Sequence, residues 1–158
     1  IEINNLIKKK TFVIGFESRI EQVAYLGEKL MEFGVPVLQP IGGHAVFLDA
    51  NKFVPTIPRK EYRAQALAIE LYIIGGIRGV EIGTVLADRD PFTRKNRYPE
   101  LELVRLAIPR RTYSLNHMRY IAAVLKNIYD SRDQAKSGYK IVDEAPIMRH
   151  FTVKFEKN

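Results

Sequence analysis

Cysteine is absent from all 158 residues, which excludes disulfides, thiolate metal sites and cysteine nucleophiles. Histidine is scarce. His44, His117 and His150 lie far apart and have no metal-ligand spacing, so no metal site is expected. No apolar run approaches the roughly 20 residues needed to span a bilayer, and no membrane partner is expected. The first ten residues lack the order of a signal peptide, because the basic run Lys8-Lys9-Lys10 follows the apolar residues; the cytoplasm is the expected location. Gly75-Gly76 and Gly79 match neither a P-loop nor a dinucleotide fingerprint. Gly83-Thr84 and Arg110-Arg111-Thr112 carry hydroxyls without a Ser/His/Asp arrangement.

What is present is an ordinary globular balance, 46% apolar and 27% charged, in a chain of one-domain length with room for a real core. The formal net charge of +7 raises the question of a nucleic-acid partner. However, the basic residues are scattered, and the aromatics are not interleaved with them as an RNA-binding sheet requires. Solvated surface explains the charge better, and no nucleic-acid partner is expected.

Residues 1–16 read as a short strand or a loose N-terminal arm. From Ser18 the period becomes helical, with Ile20, Val23, Leu26, Leu30 and Met31 on one face and Gly34 and Pro36 as the stop. Strands are expected over 35–39 and 45–49, joined by Pro40-Ile41-Gly42-Gly43-His44, in which His44 is a turn residue. A largely buried helix follows over 59–74, and then a short strand over 80–85. A charged loop covers 87–99. Ser114 is a good N-cap for a helix reaching about Lys136, with Met118, Ile121, Ala122, Leu125, Ile128 and Tyr129 in one stripe. Two last strands are expected at 139–142 and 151–155. The order gives an α+β fold with helices packed on a mixed sheet.

The stretch of residues 101–108 is mostly apolar and reads as a strand covered on both faces. Arg105 stands in its middle. On period 2 it shares a face with Leu101, Leu103 and Ala107, while Val104, Leu106 and Ile108 face the other way. A guanidinium does not usefully lose its proton, and leaving it desolvated and unpaired costs several kcal/mol. An anion should meet it, either one of the chain's own carboxylates or the carboxylate of a substrate.

Several stretches together resemble the tryptophanase (tryptophan indole-lyase) and tyrosine phenol-lyase family of β-eliminating lyases. They are Glu21-Gln22-Val23, Tyr25-Leu26-Gly27-Glu28-Lys29-Leu30, Gly34-Val35-Pro36-Val37, the run from Pro40 to Ala50, Ala64-Gln65-Ala66-Leu67-Ala68 and Glu70-Leu71-Tyr72. Further on come Glu81-Ile82-Gly83, Arg105-Leu106, Ile108-Pro109-Arg110-Arg111, His117-Met118 and Arg149-His150-Phe151-Thr152. The likeness is collinear from about Glu17 to Phe155.

This resemblance implies that residues 17–158 are most of the small C-terminal domain of a pyridoxal-phosphate enzyme of the aspartate-aminotransferase fold. It implies β-elimination of L-tryptophan to indole, pyruvate and ammonia, with Arg105 holding the substrate α-carboxylate. Tyrosine phenol-lyase has Glu-Arg-Gly where this chain has Glu81-Ile82-Gly83, and Arg-Phe-Phe where it has Arg149-His150-Phe151. Ile82 would therefore wall an indole. His150 would be the catalytic imidazole near the leaving group, with Phe151 beside it as a substrate-binding residue. A plain core role for Ile82 and a hydrogen-bonded structural role for His150 are the alternatives. Arg110 and Arg111 read as surface or interface cations.

The family's Schiff-base lysine lies in a Ser-x-Lys-Lys-Asp motif upstream. Lys9-Lys10-Thr11-Phe12-Val13 is similar to its second half, but the serine and aspartate are missing. The resemblance thus implies a partial gene product or a small subunit whose large domain is a separate chain, together forming a homo-oligomer with an amino-acid substrate. A non-catalytic remnant or interaction domain of the same fold, or a tyrosine phenol-lyase-like segment, is the alternative.

Overall fold

The computed structural model describes residues 18–158, so the expected arm over 1–16 lies outside the described residues. Helix α1, covering residues 18–32, buries Val23, Leu26 and Leu30 at the expected helical spacing. Gly34, at φ +74, turns the chain out of it, and the Val35 N–H closes the end on the Leu30 carbonyl at 2.9 Å.

Three strands form the main sheet, in the order β1 (Ala45–Asp49), β3 (Leu103–Ala107), β2 (Val80–Ile82). Both pairings are antiparallel, with Phe47 and Val80 flanking Arg105 on either side. The mixed sheet expected from sequence is therefore corrected to an antiparallel one. A second, two-stranded antiparallel sheet joins β4 (Tyr139–Asp143) to β5 (Lys154–Lys157). The fold is α+β with small sheets.

Between β1 and β2 lie the short helix α2 (Ala50–Phe53) and helix α3 (Arg63–Gly75); α4 (Leu115–Asp130) follows β3. Val46 and Leu48 of β1 and Val104 and Leu106 of β3 form one buried cluster with Leu67 and Leu71 of α3 and Met118 and Leu125 of α4. At roughly 25 cal/mol per Å² of apolar surface removed from water, this one-sided burial is what holds the sheet to its helices. The other side of the sheet carries Phe47, Val80, Arg105 and Ala107, and among these Val80 and Ala107 are exposed. The period-2 reading of β3 held. Coverage of the Arg105 side is partial: Ala45, Asp49 and Leu103 are buried there, whereas Val80 and Ala107 are exposed.

Other departures have local causes. Residues 35–39 make a single bridge, Val37 to Leu48, because Pro36 and Pro40 have no N–H to give a ladder. The helix expected over 59–74 breaks at Tyr62, which takes φ +59 between a 3-10 turn, Arg59–Glu61, and α3. Arg63 fixes that break by donating to the carbonyls of Ile57 at 2.6 Å and Pro55 at 3.1 Å. The C-terminal turn of α3 leaves Tyr72, Ile73 and Ile74 exposed rather than buried. Helix α4 stops at Asp130, where the Ser131 hydroxyl donates to the carbonyls of Asn127 and Ile128, so the stretch to Lys136 is not helical throughout. The strand expected over 151–155 begins later, as β5 at Lys154, because Arg149–Phe151 form a 3-10 turn ahead of it.

Candidate functional site

Arg105 sits at the centre of β3 with its side chain on the face turned away from the helices, half-buried between the flanking strands. Its Nε is buried and has no hydrogen-bond partner, and no carboxylate of the described residues pairs with it. Asp49, an acid on the same face, is taken up elsewhere: it caps α2 by accepting from the Lys52 N–H at 3.2 Å and pairs with the Lys52 ammonium at 3.2 Å. Ile82 ends β2 on this face too, opposite Leu103 and diagonal to Arg105. It is half-buried, so neither a plain core residue nor a free surface one.

His150 and Phe151 lie in the 3-10 turn rather than at the start of a strand. The His150 ring packs against Phe151 with centroids 4.0 Å apart, and its buried Nδ1 has no partner. Phe151 itself is 72% exposed. What ties this turn to β2 is Arg149, 0% exposed. Its guanidinium donates to the Val85 carbonyl at 3.1 Å, the Thr84 carbonyl at 2.6 Å, Asn96 Oδ1 at 2.8 Å and Glu144 Oε2 at 3.2 Å. Asp88 Oδ1 lies 3.7 Å from its Nε. The backbone carbonyls involved are two and three residues past Ile82, so the turn bearing His150 and Phe151 is anchored next to the end of β2. Arg105, in contrast, reaches none of these groups.

The acids around Arg149 respond to it. Burial pushes the Glu144 carboxyl up, but hydrogen bonds from Arg89 and Arg149 outweigh that and hold it below its ordinary value. Asp88 is likewise raised by burial and more than compensated by the N–H groups of Arg89 and Met148 and by the Arg149 charge. Glu81 goes the other way. Burial dominates over two backbone hydrogen bonds, the neighbouring Glu102 adds to the rise, and its carboxyl is pushed up to about 7.

Sequence reasoning missed Arg149 as a hub, and it missed Glu81 and Glu102 as buried acids. For Glu102 a signal existed: its parity puts it on the Val104 and Leu106 side of the strand. For Arg149 there was none, since its partners are 64 and 65 residues away in the chain. His117, part of a matched motif, serves α4 by accepting from the Ser114 N–H at 3.1 Å through Nδ1.

Among the described residues no group of acids and histidines could hold a metal ion, and no helix is long and apolar enough to cross a membrane. Pyridoxal phosphate needs a lysine for Schiff-base linkage and a phosphate cup. No lysine among the described residues is buried; Lys29 and Lys126, the least exposed, are paired with Glu32 and Asp130. Neither α3 nor α4 opens on a glycine-rich loop. The described residues do not fit the cofactor by themselves.

Residues 7–124 match the family described as Beta-eliminating lyase. The chain belongs to the beta-eliminating lyase family. It is 56% identical over 141 residues to a probable beta-eliminating lyase of Trichomonas vaginalis, covering 89% of this chain and 31% of that one. It is 52% identical over 138 residues to a tyrosine phenol-lyase of Symbiobacterium, covering 87% and 30%. A tryptophanase of Salinibacter ruber is 47% identical over 136 residues, covering 86% and 28%. This family member thus spans about 30% of the length of the curated relatives it matches.

Proposed function

We propose that residues 17–158 are the small C-terminal domain, in the aspartate-aminotransferase fold, of a lyase that eliminates the side chain of an aromatic amino acid. Arg105 grips the α-carboxylate of the substrate. Ile82 walls the aromatic leaving group, His150 presents an imidazole to it, and Phe151 closes that side. The supporting observation is the half-buried guanidinium of Arg105, whose Nε has no partner on an open sheet face. An unsatisfied buried donor costs about 1–3 kcal/mol, and a planar carboxylate arriving with two parallel acceptors would recover that.

Pyridoxal phosphate, which the family likeness implies, is held by residues outside the described part, on the remainder of the same protein or on a separate large-domain chain. When bound it serves as the electron sink for the elimination. The complete assembly is a cytoplasmic homo-oligomer. Tryptophan is the substrate favoured by Ile82 and His150, giving indole, pyruvate and ammonia. Tyrosine is the second reading, favoured by the higher identity to a tyrosine phenol-lyase, 52%, than to a tryptophanase, 47%.

The test pairs this chain with the complementary large part of a relative and pyridoxal phosphate, then assays pyruvate, indole and phenol. Pyruvate with indole is expected, and Arg105→Ala should raise KM for the amino acid on the order of 10²-fold, as loss of a charged bidentate contact implies. Phenol without indole would move the assignment to tyrosine. No pyruvate from either amino acid would remove the lyase reading, and an unchanged KM would remove Arg105 from the site.

A further inference from the structure

Beneath Ile82 lie two carboxyl groups that the proposed reaction does not use. Glu81 stands on the helix-facing side of β2, opposite Val104, and Glu102, just ahead of β3, falls on the same side. They are 8% and 0% exposed. Both converge on Gly83, where a Cβ would overlap Glu102 Oε2 and stand 2.8 Å from Glu81 Oε1. Only glycine leaves room for both carboxyls beside the chain there.

Together the two acids hold the amides of the following turn. Glu102 Oε1 accepts from the Thr84 N–H at 3.1 Å and from the Thr84 hydroxyl. Glu81 accepts from the N–H groups of Val85 at 3.0 Å and Leu86 at 2.9 Å. Arg149 holds the same turn by its carbonyls, at Thr84 and Val85. The remaining oxygen, Glu102 Oε2, is fully buried and has no donor.

The facing charges do not make up the deficit. Arg59 approaches Glu102 Oε1 only to 3.9 Å, and Arg149 is already balanced by Asp88 and Glu144. Two bare carboxylates at one buried point repel each other. A proton on Glu81 removes that repulsion and supplies the donor that Glu102 Oε2 lacks.

We propose that Glu81 and Glu102 share one proton across Gly83, and that this carboxyl–carboxylate pair is the latch that holds the 83–86 turn and, through Arg149, keeps Ile82 in register with the turn bearing His150. The positioning role rests on the reading of Ile82 and His150 as substrate-side residues; the shared proton does not. Burial of Glu81 and its rise to about 7 agree with the geometry.

The experiment is carbon-13 side-chain NMR on the full chain from about pH 4 to about pH 9, with amide exchange in parallel. The Glu81 carboxyl should titrate near neutrality, and the protection of the Val85 and Leu86 amides should fall about tenfold across that step. The Ile82 methyl signal should move with the same midpoint. Glu81→Gln keeps an acceptor for the turn and adds a donor for Glu102 Oε2, so it should flatten the response; Glu102→Gln serves if that variant does not fold. Both carboxyls titrating in the ordinary acid range, or protection that ignores pH in the unaltered chain, would overturn the shared proton. A neutral titration with a motionless Ile82 methyl would overturn the positioning role. Failure of the substrate reading shows separately, as an unchanged KM in Arg105→Ala.

Discussion

Arg105 and Arg149 are the same side chain put to opposite uses. Arg149 is wholly enclosed, and its guanidinium donates to two carbonyls, an amide oxygen and a carboxylate, with a second carboxylate nearby. Arg105 stands on the open face of the sheet with a buried Nε that nothing in the described chain meets. A guanidinium that a fold needs for cohesion is surrounded by that fold's own acceptors. One left without them, in a position fixed by two neighbouring strands, is available to something that comes from outside. Burial alone does not separate the two; the partners do.

Substitution at either arginine tests this contrast. Arg149→Ala should have the largest effect, since it removes the guanidinium that Asp88 and Glu144 face and leaves the buried Thr84 carbonyl without its donor. Urea denaturation should show a loss of about 3–5 kcal/mol, and a loss under 1 kcal/mol would mean that the network is ornamental. Next comes pH. Glu81 has a folded-state value of about 7 against an ordinary 4.5, so folding favours its protonated form. That contribution is fully present below pH 4.5 and is lost as pH rises through about 7. Its size is roughly 3 kcal/mol, visible as a lower urea midpoint at pH 8.5 than at pH 5.5, and Glu81→Gln should remove most of that difference. The smallest effect should be that of Arg105→Ala on stability, within about 0.5 kcal/mol by the same denaturation. A large destabilisation there would make Arg105 a second structural arginine and erase the contrast.

How much of this was legible in the sequence depends on where each signal resides. The alternation that put Val104, Leu106 and Ile108 on one side of β3 is local, and all three are buried. The stripe of Met118, Ala122, Leu125 and Ile128 on α4 is local too, and was equally readable. Tyr62 was not, because its positive φ is imposed by Arg63 reaching back to Ile57 and Pro55. Nor was the turn at His150. Residues 151–155 have the composition of a strand, yet only Lys154 and Phe155 join β5, while Arg149 is drawn to partners in the turn after β2 and takes the chain before them along. As for the candidate site, Arg105 was located correctly within its strand from period 2 alone, but its exposure was misjudged. A strand in an apolar run is taken as enclosed on both sides, and only the three-dimensional arrangement of helices says which side they cover.

That one-sidedness has a consequence for how such a protein changes over generations. Cohesion is concentrated in the side chains of Val46, Leu48, Val104 and Leu106, while Phe47, Val80 and Ile82 contribute little to it. Replacements among the latter can change the character of that face without loosening the skeleton, so one scaffold can carry many different surfaces.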